Sequence, residues 1–165
     1  MQQDRFRQIE SNLELLYEQK ADLEREVLLS TGIQKTQARQ RIRVEINPQI
    51  AEYEFEYWEE VSAHPEYLDL SEQDAEIIAR EVTGSIEAMK KSDFPEEVWE
   101  ILEQIRDQIA KSEESASLKI KGIVSTIPPF IGVAHEAEID IRKFLENNFP
   151  TFLKVFRSVS SHKKK

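Results

Sequence analysis

Five glutamates, Glu52, Glu54, Glu56, Glu59 and Glu60, stand within the nine residues EYEFEYWEE, interleaved with Tyr53, Phe55, Tyr57 and Trp58. Clustered carboxylates are the raw material of a di-metal centre, which helical bundles build from Glu side chains and Glu-x-x-His pairs on facing helices. No Glu-x-x-His pair accompanies these glutamates, and a solvated polar face accounts for them with fewer assumptions. Other chemistries lack their residues too. There is no GxxxxGK[ST], no GxGxxG and no nucleophile elbow. Cysteine is absent, which excludes disulfides, thiolate metal sites and thiol catalysis. No cofactor or metal is expected, and the chain reads as a non-enzyme.

One catalytic spacing has to be weighed. Arg157 and His162 reproduce the Arg-x4-His pattern and in that respect resemble HEPN-type RNases, helical proteins that pair two such motifs across a dimer. In that family the motif lies on an ordered core helix. Here it runs into the lysines at 163–165, and a basic tail is the preferred reading, with the RNase as an alternative.

The elements that must carry these residues are mostly helical. Phe6, Ile9, Leu13, Leu16, Lys20, Leu23 and Val27 alternate steps of three and four, the spacing of a coiled-coil seam. One helix cannot bury such a seam alone, and STG at 30–32 supplies a turn from which the next helix folds back. At about 100° per residue, Ile46, Ile50, Tyr53, Tyr57 and Val61 share one face of that next helix, while Val44, Ala51, Phe55 and Trp58 lie nearly opposite. The strand-like alternation of 52–60 is therefore what a helix with two apolar stripes produces. Glu52, Glu56 and Glu59 fall on the polar side, and Glu54, between the stripes, is expected to be partly buried and paired with Arg39 or Arg43. Asn47-Pro48 predicts a kink or break near residue 47.

Pro65 ends this segment, and Ser71-x-x-Asp74 reads as the cap of a further helix with Ala75, Ile78, Val82, Ile86 and Met89 inward. SDFPEE at 92–97 opens another, with a stripe of Val98, Leu102, Ile105 and Ile109 and with Trp99 beside it or on a contact surface. His64 reads as a helix-end residue.

Composition sets bounds. The 165 residues carry a net charge of −10 and only four glycines, which disfavours a fold of many tight turns. Residues 63–115 hold 15 acids and 5 bases, whereas residues 116–165 hold 4 acids and 9 bases. An acidic chain is a poor nonspecific nucleic-acid ligand. No apolar run approaches the ~20 residues of a membrane span, the first residues carry no secretory pattern, and a cytoplasmic location is expected.

After residue 116 the pattern changes. Residues 118–124 and 133–141 alternate apolar and charged positions, and pairing 118 with 139 sets Lys119 opposite Glu138 and Lys121 opposite Glu136. This predicts a β-hairpin, with His135 on its apolar face and a loop, STIPPFIG, between the strands. Ile127, Phe130 and Ile131 in that loop would either fold back over the core or form a docking tip for a protein or a membrane surface. Phe144, Leu145, Phe149, Phe152, Leu153 and Phe156 would cover the hairpin from helices divided at Pro150. The expected fold is mainly α with a C-terminal β-hairpin packed on helices, organised as a helical hairpin at 1–62, an acidic helical segment at 63–115, a hairpin-plus-helix module at 116–160 and a basic tail at 161–165.

RQRIRVEINPQIAEYEFEYWE, at 39–59, resembles a coiled-coil module of cyanobacterial proteins. SLKIKGIVSTIPPFIGVAHEAEIDIRKFLENNFPTFLKVF, at 117–156, resembles a small hairpin-plus-helix module that recurs there beside STAND-type ATPases and caspase-like effectors of signalling and conflict systems. The resemblance covers a little over a third of the chain and brings no catalytic motif with it. It implies an adaptor attached to an effector. The expected function is a protein–protein adaptor whose partner contacts include Trp99, Ile127, Phe130 and Ile131, with self-association as a further expectation and a membrane surface ranked below protein.

Overall fold

The computed structural model describes residues 2–64, 70–111 and 113–157, with side chains from residue 4 to residue 156. Every regular element among them is helical. The chain divides into two compact units, Met1–Tyr57 and Trp58–Lys165.

The first unit contains a helical hairpin. Helix α1 spans Gln2–Leu29, and α2, Gly32–Arg41, folds back along it. The seam residues Phe6, Ile9, Leu13, Leu16, Lys20 and Leu23 are all buried. Gly32 makes the reversal with φ +64°, a left-handed conformation that a Cβ would strain.

The return helix is not broken at Asn47-Pro48. Residues Ile42–Ile46 instead form a π-turn, continued directly by α3, Asn47–Ala63. Pro48 has no N–H for the carbonyl of Val44, and its ring would collide with that carbonyl in a regular α-turn. The wider turn removes the collision: the Asn47 N–H bonds back to Ile42 O, five residues earlier, and the Gln49 amide donates to Glu45 O at 3.0 Å.

That turn also rotates the buried face. Before it, Ala38 points inward; after it, Ile46, Ile50, Glu54, Tyr57 and Val61 do. Glu54 is fully buried, and it accepts a hydrogen bond from Tyr17 of α1 at 2.7 Å, while Arg39 and Arg43 stay exposed. The second stripe is split. Ala51 and Trp58 are buried, but Val44 is 56% and Phe55 39% exposed.

The second unit is built around α4, Glu72–Ala88, whose Ala75, Ile78, Val82 and Ile86 are buried. Ser71 caps it as expected, accepting from Asp74 N at 3.1 Å. Helix α5, Glu96–Ala110, buries Val98, Leu102 and Ile105; Pro95 precedes it, and neither Ser92 nor Asp93 provides a cap. Then come α6, Ala116–Val124, α7, Ile127–Glu136, α8, Ile141–Asn148, and α9, Pro150–Arg157.

The β-hairpin expected at 118–141 is thus corrected to two short helices, α6 and α7, while the helices divided at Pro150 form as expected in α8 and α9. Ile120, Ile123, Val124, Ile127, Phe130, Ile131 and Ala134 are buried in steps of one and three across the two helices, which is helical spacing, while Leu118, assigned to the same strand face as Ile120, is 56% exposed. The alternation at 136–140 comes from a helix end: Glu138 takes φ 60°, its N–H bonds to His135 O, and the Ile139 N–H bonds to Ala134 O. This is a Schellman closure. Asp140 then caps α8, accepting from Lys143 N at 3.0 Å.

Three side chains of α4 hold the short helices. Glu72 accepts from Ala116 N at 2.7 Å and Ser117 N at 3.2 Å, at the start of α6. Glu81 accepts from Thr151 N at 2.9 Å and Thr151 Oγ1 at 2.7 Å, at the start of α9. Ser85 donates to Asn148 O, at the end of α8, at 2.6 Å. Trp58 stacks on Phe152 at 5.5 Å and lies 6.0 Å from Phe156.

Two outcomes are expected. Trp58→Ala should cost about 3–5 kcal/mol in urea unfolding and Phe55→Ala about 1 kcal/mol, since only the first leaves a cavity; equal costs would show that Phe55 is packed as tightly. The two N–H donors from Ala116 and then Ser117 hold the Glu72 carboxyl below the ordinary glutamate range. Its stabilising effect is therefore full above the unfolded value of about 4.3 and is lost as pH falls through the lowered folded value. The stability gap between the native chain and Glu72→Gln, measured by urea unfolding, should narrow as pH falls from about 6 to about 3.

Candidate functional site

The four residues expected to contact a partner lie inside the second unit. Trp99 is 8% exposed and stacks on Phe94 at 6.1 Å. Ile127, Phe130 and Ile131 are at most 1% exposed, on α7. The IPPFIG stretch is a helix that opens with two prolines at its first turn, where missing N–H groups cost nothing, and Phe130 packs 5.0 Å from Phe144. The segment closes the core and offers no exposed docking tip, for a protein or for a membrane. The side chain of Arg157 and all of His162 lie outside the described residues.

The glutamate cluster does not converge either. Glu54 is buried against Tyr17, Glu56 pairs with Arg5, Glu60 lies 3.6 Å from the His64 ring, and Glu52 and Glu59 face outward. Among the described residues no group of three or more His, Asp or Glu side chains could hold a metal ion.

What remains exposed and patterned is the outer face of α2 and its π-turn. Ile33, Gln37, Gln40 and Val44 recur at steps of four, three and four, a heptad seam on the side of α2 away from buried Ala38. Ile33 is 75% and Val44 56% exposed. Between and beside them runs a shallow groove of about 260 Å³, lined by Gln37, Gln40, Arg41, Val44 and Glu45. Arg41 pairs with Glu45 at 3.2 Å on one flank, and Arg43 stands exposed on the other. Leu28 and Leu29, 82% and 84% exposed on the last turn of α1, add apolar surface at the hairpin turn next in sequence to Ile33. The other exposed large apolar residues among those described are Leu15, Phe55, Ile77 and Leu118, each on a different helix from α2.

Sequence reading placed Val44 on a second stripe but continued that stripe forward to Trp58. The backward continuation to Ile33 went unseen because amides occupy its two middle positions. The signal was the 33-37-40-44 spacing itself. No protein-family model matches the chain, and no curated protein or solved structure matches it.

Because these positions face solvent, the pair Ile33→Asp and Val44→Asp should leave helicity unchanged and the melting temperature within about 3 °C by circular dichroism. Ile46→Asp, two residues beyond Val44 and on the buried face, should abolish cooperative melting of the first unit.

Proposed function

We propose that this chain is a non-catalytic interaction module that recruits a protein partner along the outward seam of α2. The observation that carries the reading is an exposed coiled-coil spacing, ending in Ile33 and Val44, on a helix whose opposite face is already occupied by α1. A helix with a second apolar stripe is built for a second neighbour. A stripe of two apolar and two amide positions is too polar to demand permanent burial, which suits a partner that comes and goes. The resemblance of residues 39–59 to a coiled-coil module attached to effectors supports the same role and suggests an effector of a signalling or defence system as the partner. The hairpin implied for 117–156 does not form, so that half of the resemblance lends no support.

The test is parallel affinity capture from the source cell with three immobilised proteins: the native chain, Ile33→Asp with Val44→Asp, and Leu118→Asp as an exposed control on the second unit. Proteins retained by the native chain and the control should be lost from the seam variant in quantitative mass spectrometry. Identical sets on all three would overturn the reading.

A further inference from the structure

We infer that the occupant of the α2 seam is an acidic amphipathic helix, an inference that rests on the seam being an interaction surface. Charge selects the occupant. Residues 33–46 carry Lys35, Arg39, Arg41 and Arg43 against the single acid Glu45, a net +3 in a chain of net −10. This is the reverse of the chain's average, and two arginines flank the seam, Arg41 beside Glu45 on one side and Arg43 on the other. In a helical pair the positions flanking the apolar seam decide which partner is accepted, through charge across the interface.

A second copy of this chain would bring the same positive segment to the seam, so symmetric self-pairing sets like charges together. The seam also dictates the partner's pattern. From Ile33 to Val44 it reads apolar, amide, amide, apolar, so the complementary helix carries apolar residues about three turns apart, amide or small polar groups between them, and carboxylates on both flanks. The amides matter for register. A fully apolar partner stripe would bury Gln37 and Gln40 without hydrogen-bond partners, which is costly, whereas facing amides satisfy each other.

The probes are two synthetic helical peptides of about 20 residues with that apolar and amide pattern, one with Glu and one with Lys at the flanking positions. Binding to the full chain is read by fluorescence anisotropy. The acidic peptide should bind at least about tenfold more tightly than the basic one, with affinity falling as salt rises from 0.1 to 0.5 M on the order expected for exposed charges. Arg41→Glu with Arg43→Glu, checked for retained helicity, should reverse the preference. Equal affinity for both peptides, no binding of the acidic one, or an unchanged preference in the reversed variant would overturn the inference. So would a dimer in sedimentation, or binding to anionic or neutral vesicles, that Ile33→Asp with Val44→Asp abolishes, since the seam would then belong to a second copy or to lipid. The interaction reading itself falls only if the seam variant captures the same proteins as the native chain, so the two failures are distinguishable.

Discussion

The surface of the first unit follows from one missing hydrogen. Pro48 cannot donate to the carbonyl four residues before it, and the helix answers with a π-turn at Ile42–Ile46 rather than a break. A π-turn holds one residue more than an α-turn, so every side chain after it is displaced by about 100° relative to those before it. The face that α2 turns toward α1 through Ala38 is continued by Ile46, Ile50 and Glu54. Without the turn, Glu54 would sit nearer the edge, and Val44 would share a stripe with Ala51. With it, Val44 is left behind on the outer face, in line with Ile33, Gln37 and Gln40. The proline thus separates Val44 from the Ala51 stripe, while Ile33, Gln37 and Gln40 precede the turn and take their place from α2 itself.

The second unit meets a different constraint. Its last four helices have only eight to ten residues each, below the length at which a helix persists alone in water. Short helices also have the highest proportion of backbone groups with no partner inside the helix. For α6, α8 and α9, α4 supplies both what they bury against and what they bond to, its apolar face lying inside while Glu72, Glu81 and Ser85 reach the ends of α6, α9 and α8; α7 packs on α5 instead. A carboxylate at a helix start also meets the positive end of the helix dipole. The acidity of the 63–115 segment, unexplained as a bulk property, is in part this local use of glutamate as a cap borne by another helix. α6 also approaches α5 closely: a Cβ on Gly122 would stand 2.6 Å from the Gln108 amide.

What the sequence made legible were features with local causes. The α1 seam, the reversal at Gly32, the Ser71 cap and the apolar faces of α4 and α5 all follow from spacing and cap chemistry within one segment. The hairpin failed for the reason that helped elsewhere. In 52–60 the same two-residue alternation was resolved as helix because it lay inside a long periodic stretch, whereas 118–124 and 133–141 were too short for length to arbitrate. The matched charges of Lys119 with Glu138 and Lys121 with Glu136 then lent a register to strands that do not form. The left-handed Glu138 was not foreseeable, since glycine or asparagine is the usual residue there. For the site, aromatic and aliphatic size pointed to Trp99, Phe130 and Ile131, the residues a core takes first; the exposed seam advertised itself only by spacing.

These two constraints separate the roles of the chain's charge. Glutamates that cap α6 and α9 are bonded to backbone and so serve the fold, and those on α3 serve solvation or pair with the first helix. The arginines of α2 are spared both tasks except at Arg41, which Glu45 holds in place. Arg39 and Arg43 lie on a helix whose inward face is small, Ala38, and whose outward face is amide-rich, so burying an apolar surface does not explain why that helix is basic. A positive flank beside a weakly apolar seam gives a contact whose rate and selectivity come from charge while its strength stays modest. That combination is what the proposed contact with an acidic helix requires, and the amides stand at positions where a permanent coiled coil would carry leucine.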